Sequence, residues 1–263
     1  MDSKKRFKIH LIQWNVLAGQ LESNLERAAE LMETLSLGQD DLILLPEMFS
    51  TGFLCAHPAE MAEGYEQTLE WISSQAVSRS VSLAGSVPIW DGRGVSNTLV
   101  VVDPEGKRKG SYVKTHLFPL TGEGSAFQAG DRASVFNWNG TAVGLMICFD
   151  LRFPELGRKI CLDGASLILV SAQWPLARVS HFVDLVKVRA MENQLYVAAV
   201  NSCGDDGSGL VLGGGSLVAG PMGEILGQLK EGEGVLTVPV DLEEVERVRR
   251  EFPVLSLRRP DIY

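Results

Sequence analysis

Three residues of reactive type each stand where an apolar, strand-like run gives way to a loop. Asp41-Leu-Ile-Leu-Leu45 runs into Pro46 and Glu47, Lys109-Gly-Ser-Tyr-Val leads to Lys114, and the run from Ala142 to Ile147 ends on Cys148. Loops at strand ends open outward over a rigid sheet, so groups placed there can converge on a substrate. A thiol, a carboxylate and an ammonium supply a nucleophile, a base and a cation. Amide hydrolysis needs all three: the sulfur attacks the carbonyl carbon, the carboxylate takes and returns a proton, and positive charge meets the oxyanion. Taken singly, each has a plainer use. Free cysteine packs as a small buried apolar group, a strand-end glutamate can sit at a rim or in an ion pair, and an edge lysine is usually solvated.

The elements that must position these residues follow from periodicity and turn chemistry. Pro154 stands shortly after Cys148, where a helix takes its first turn, which puts the cysteine at a strand-to-helix junction. Helix dipoles there, with a nearby lysine, would draw the thiol below its usual pKa of about 8.5. Residues 8–13 alternate like a strand, and Ser23-Asn-Leu-Glu26 reads as a capping box for a helix that puts Leu25, Ala28, Ala29, Met32 and Leu35 on one face. Further helices are predicted at 68–78, from the Cys148 junction through Cys161, at 179–193 and at 242–250. Strands are predicted at 81–87, 98–102, 109–114, 133–138, 141–148, 166–171, 195–200, 210–218, 225–229 and 234–240. Asp103-Pro-Glu-Gly106 and Asn139-Gly140 supply hairpin turns. The stretch 115–124 reads as loop, with His116 and Glu123 its notable polar groups. Two successive series of strands and helices result, too many strands for one sheet, so two sheets packed face to face with helices outside would bury the apolar runs.

Composition bounds the function. With 263 residues, 45% hydrophobic and 22% charged, and no linker, the chain reads as a single domain over 1–263 with a sizeable core. A formal charge of -9 and only short basic clusters argue against nucleic acid as a partner. No signal peptide or bilayer-spanning run is evident, so a cytoplasmic location away from membranes is expected. Cys55, Cys148, Cys161 and Cys203 are far apart with no C-x-x-C pair, which predicts neither a metal site nor a disulfide scaffold. Gly213-Gly-Gly215 lacks the helix pattern of a phosphate loop, and no G-x-G-x-x-G follows a strand, which disfavours a nucleotide-binding module.

Three segments resemble the catalytic motifs of the nitrilase superfamily of carbon–nitrogen hydrolases: Leu-Leu-Pro-Glu47-Met-Phe-Ser-Thr-Gly-Phe, Tyr-Val-Lys114-Thr-His-Leu-Phe and Ile-Cys148-Phe-Asp-Leu-Arg-Phe-Pro-Glu-Leu. Gly-Glu123, Arg189-Ala-Met-Glu-Asn-Gln and Arg-Arg-Pro-Asp-Ile-Tyr263 extend the likeness over nearly the whole chain. The resemblance implies a nitrilase-like four-layer α-β-β-α sandwich and a Glu47–Lys114–Cys148 triad without metal or organic cofactor. It also implies Glu123 as a second active-site carboxylate, the Phe149 N–H as oxyanion donor, and a homodimer or larger assembly. Phe149 stands where a tyrosine is common, and Asn201-Ser-Cys203-Gly replaces a segment that often has arginine after the asparagine. Asp-Leu-Arg-Phe-Pro and Ser-Ala-Gln-Trp174-Pro look most like omega-amidases, which release ammonia from 2-oxoglutaramate or 2-oxosuccinamate. N-carbamoyl-amine hydrolases, deaminated-glutathione amidases and nitrilases share the triad, and a non-catalytic dimeric binding protein on this fold is the alternative of a different class.

Substrate recognition follows from the omega-amidase likeness. A 2-oxo acid carboxylate calls for a guanidinium, and Arg152 is the nearest to Cys148; its plainer role is an ion pair with Asp150 or Glu155. Trp174 could wall the short carbon chain. The tail from about 250 to 263 carries Phe252, Val254, Leu255 and Leu257, too apolar to be left in water, and is a candidate dimer contact together with the helix around Arg189 to Asn193.

Overall fold

The computed structural model describes residues 6–262, and its strands build two six-stranded sheets besides a short hairpin of Cys203–Asp205 with Val211–Gly213. The first sheet runs, in spatial order, Gly234–Asp241, Arg6–Gln13, Leu42–Leu44, Ser82–Trp90, Val95–Val102 and Arg108–Val113. The second runs Ile225–Gln228, Leu217–Ala219, Tyr196–Asn201, Leu167–Ala172, Thr141–Ile147 and Ser134–Trp138. Each has a parallel trio at its centre, joined by helices, with antiparallel strands on both flanks. The two halves of the chain therefore repeat one plan.

Strand periodicity explains how a continuous apolar run serves two cores. Leu42 and Leu44 point between the sheets, while Ile43 and Leu45 point outward to the helices Leu21–Glu33 and Tyr65–Arg79. The second sheet is backed by Pro154–Leu162 and Val179–Asn193, so the layers run helix, sheet, sheet, helix. Polar cross-links fix the seam: Trp138 Nε1 donates to Ser82 Oγ at 2.8 Å, and Ser171 Oγ to the Leu45 carbonyl at 2.8 Å. Among the described residues no helix is long and apolar enough to cross a membrane.

Several local expectations are corrected. The first helix begins at Leu21 behind Gln20 and lacks the capping box at Ser23, because Asn24 instead accepts from the Leu17 N–H at 2.9 Å and donates to its carbonyl at 2.7 Å, closing the preceding turn. The single strand expected at 210–218 is broken into Val211–Gly213 and Leu217–Ala219, since Gly214 and Gly215 take φ of 59° and 75°. Within the 115–124 loop, residues 119–121 form a 3₁₀ turn and Glu123–Ala126 a short helix, and the helix Pro58–Glu63 had no clear sequence signal. Cys148 opens a 3₁₀ turn, Cys148–Arg152, before the regular helix starts at Pro154.

That helix lies close on its own strand: a Cβ at Gly144 would overlap the Ile160 side chain. Gly144→Ala is expected to push the helix outward and cost roughly 1–3 kcal/mol, read as a lower denaturant midpoint with an unchanged slope.

Candidate active site

The first sheet delivers Glu47 and Lys114, and the second delivers Cys148. Lys114 follows Arg108–Val113 directly, Cys148 follows Thr141–Ile147 directly, and Glu47 stands just past Leu42–Leu44. All three are buried, Lys114 at 1% exposure. A lysine so deep needs compensating charge. Its Nζ donates to Glu47 Oε1 at 2.8 Å and to both carboxylate oxygens of Glu123 at 2.8 Å. The carboxylates are held in turn. Asn97 Nδ2 donates to Glu47 Oε1 at 2.8 Å and to Glu123 Oε1 at 3.3 Å, with its own Oδ1 accepting from Ser86 Oγ at 2.7 Å. The Gln173 N–H reaches Glu47 Oε2 at 2.9 Å, and the Phe118 N–H reaches Glu123 Oε2 at 2.6 Å.

The thiol of Cys148 donates to the Gln173 carbonyl at 3.8 Å and lies close enough to the Glu47 carboxylate to feel its charge. Burial, and after it the negative charge of Glu47, push this thiol well above its ordinary pKa, with Lys114 opposing too weakly to reverse the direction. The expected depressed thiol is therefore corrected: the helix that was to polarise it begins only at Pro154, and desolvation wins. Burial, reinforced by Glu123, also raises Glu47 despite Lys114. Burial alone would lower Lys114, but the two carboxylates outweigh it and hold the ammonium above its usual range.

Cys148 takes φ of 46° and Met48, next to Glu47, takes φ of 47°. Such left-handed conformations in non-glycine residues cost about 1–3 kcal/mol each and persist only where neighbours over-determine them. For the cysteine, one neighbour is Arg189 of the helix Val179–Asn193, whose Nε donates to the Leu151 carbonyl at 3.0 Å. Arg189 and Asn193 thus face inward, which removes them from the expected interface, whereas Val188 and Met191 face out.

A cavity of about 410 Å³ opens over the cluster, walled by Phe53, Phe118, Phe149, Trp174 and Leu210 among others. Trp174 is seated by its N–H to Asn201 Oδ1 at 2.6 Å and its Nε1 to the Arg178 carbonyl at 2.8 Å. Phe149 packs its ring edge-on against Phe118 and Phe153. The Arg152 guanidinium lies 4.8 Å over the Trp174 ring and lines the cavity. The local ion pair considered for it does not form, because Asp150 is engaged by Tyr112, Thr115 and His116 and Glu155 is exposed. Sequence reasoning missed Asn97, Ser86 and Gln173. Asn97 and Ser86 interrupt apolar strands, and a polar side chain in such a place must find partners, which is the signal that could have found them.

The sequence matches the family described as carbon–nitrogen hydrolase over residues 8–250. The chain belongs to that family. A 2-oxoglutaramate amidase of Bacillus subtilis is 34% identical over 260 residues, covering 98% of this chain and all of the relative. The omega-amidase YafV of Yersinia enterocolitica is 35% identical over 247 residues, covering 94% of each. Among solved structures, a carbon–nitrogen hydrolase superfamily protein of Xanthomonas campestris with an arsenic adduct in its active site superposes with a TM-score of 0.90 at 31% identity, covering 97% of this chain and 98% of that one. The nitrilase-type sandwich expected from the motifs is the fold of the hydrolase described here.

Proposed function

We propose that this hydrolase is an omega-amidase that releases ammonia from the terminal amide of a small 2-oxo acid such as 2-oxoglutaramate or 2-oxosuccinamate. The observation that carries the reading is the gathering of one thiol, one raised carboxylate and one ammonium in the lining of a cavity that also holds an arginine without a carboxylate partner among the described residues. The names of the Bacillus and Yersinia relatives support the same substrate class.

The thiol rests protonated, so attack and proton transfer are coupled. As sulfur bonds to the amide carbon, the thiol proton passes to Glu47, whose raised basicity suits it to take the proton. The oxyanion is met by Lys114 Nζ and the Phe149 N–H. Glu47 gives the proton to the departing nitrogen, the C–N bond breaks and ammonia leaves a thioester on Cys148. Glu47 then takes a proton from water, hydroxide adds to the thioester carbon, the C–S bond breaks and the proton returns to sulfur. Glu123 holds Lys114 from the second side and orients the substrate amide. Arg152 takes the substrate carboxylate and Trp174 covers the chain between carboxylate and amide. The proposal includes a cytoplasmic location and a homodimer joined through the outward Val188, Met191, Phe252 and Leu257; Leu255, by contrast, packs on its own core.

Cys148→Ala should abolish ammonia release while Cys161→Ala keeps it, and the acid limb of kcat/KM should lie above the ordinary glutamate value of 4.5, since a base with a raised pKa loses its ionised form at higher pH. Retained turnover in Cys148→Ala would refute the mechanism. Arg152→Lys should raise KM for 2-oxosuccinamate about ten- to a hundredfold, the equivalent of roughly 1.5–3 kcal/mol for a desolvated charge-assisted contact, without slowing alkylation of Cys148. An unchanged KM in the folded variant would return the arginine to a structural role. Light scattering at micromolar concentration should give twice the subunit mass, and a monomeric mass would reject the dimer.

A further inference from the structure

Asp150 is fully buried and has no part in the chemistry above, yet it joins the two segments whose separation sets the geometry of attack. Its Oδ2 accepts from the Ile147 N–H at 2.9 Å and from the Tyr112 hydroxyl at 2.8 Å. Its Oδ1 accepts from the His116 N–H at 3.1 Å, from His116 Nδ1 at 2.7 Å and from Thr115 Oγ1 at 3.2 Å. Ile147 immediately precedes Cys148, while Tyr112, Thr115 and His116 bracket Lys114. His116 is further fixed by stacking on Phe153, centroids 3.7 Å apart, and Phe153 closes the nucleophile turn through its N–H to the Asp150 carbonyl at 3.0 Å.

We infer that Asp150 is a positioning residue that clamps the turn bearing Cys148 to the segment bearing Lys114, so that thiol and ammonium, brought by different sheets, stay in register. The inference rests on the amidase reading only for its turnover readout. The carboxylate form is required for a reason of donors and acceptors. Each oxygen accepts from a backbone N–H, and an N–H cannot reverse its role as a hydroxyl can. An asparagine of the same size must therefore turn its NH₂ toward Ile147 or toward His116, and in either orientation an amide donor faces a backbone donor at a side chain that is itself fully buried. One side of the clamp opens, and Cys148, already in a left-handed conformation, is free to relax away from Glu47 and Lys114.

The test measures two rates. The first is kcat with 2-oxosuccinamate. The second is the alkylation rate of Cys148 by iodoacetamide, followed by mass spectrometry of the Cys148 peptide. In Asp150→Asn both should fall about ten- to a hundredfold, the scale expected for a nucleophile displaced by an ångström, with KM within about threefold of the parent. Tyr112→Phe removes one donor to Oδ2 and should lower both rates severalfold, which decides the matter if Asp150→Asn does not fold. Folded variants with a reduced melting temperature but both rates within about twofold of the parent would overturn the inference and leave Asp150 as a fold-stabilising residue. If the parent hydrolyses no amide, the substrate reading fails while the alkylation rates still judge the clamp.

Discussion

The structure depends on the burial of one ammonium between two carboxylates. Lys114 is almost wholly withdrawn from solvent, and its three contacts to Glu47 and Glu123 oxygens at 2.8 Å take the place of hydration. Removing either acid would take away part of the compensation for a desolvated ammonium, and removing both would leave it buried without a partner, at a penalty larger than a surface ion pair could contribute. The arrangement also governs the third member. With two acids around one cation, ionising Cys148 would add a further negative charge to a buried site, which together with burial pushes the thiol up. In the proposed mechanism, reactivity is therefore generated during attack and is not stored in the resting enzyme.

The fold supplies this geometry by repeating itself. A parallel trio of strands ends in a loop with an active group in each half, and packing the halves face to face brings the loops together. Neither sheet alone has both the Cys148 thiol and the Glu47 carboxylate. The seam between them is fastened near the site by Ser171 to Leu45 and by both donors of Gln173, to the carboxylate and to the carbonyl of Glu47. Precision of the site is therefore a property of sheet packing and not of loop sequence alone.

Much of this was legible in the sequence because the chemistry demands particular residue types at strand ends. The helix expected near residues 179–193 forms as Val179–Asn193, and Asn139-Gly140 forms the hairpin turn it signals, with φ of 50° and 86°. Less visible were features determined by distant partners. Asn97 meets Glu47 across 50 positions and Gln173 meets it across 126, so no local window shows either contact. The strand break at Gly214 follows from tertiary fit: a side chain there would strike Gln13 and the Lys230 carbonyl. The thiol was misjudged for a related reason. Its type and its lysine neighbour could be read from sequence, but its degree of burial, which decides the direction of the shift, is a property of the assembled sheets.

The protonated resting thiol has a consequence for durability. Peroxide attacks the thiolate, and sulfenic acid formation is the first rung of a ladder whose upper steps are irreversible. A thiol whose pKa is pushed up by burial offers less of the oxidisable species than an exposed cysteine does. An enzyme built this way should survive oxidant stress that silences cysteine hydrolases with a preformed thiolate, at the expense of needing its base in every cycle.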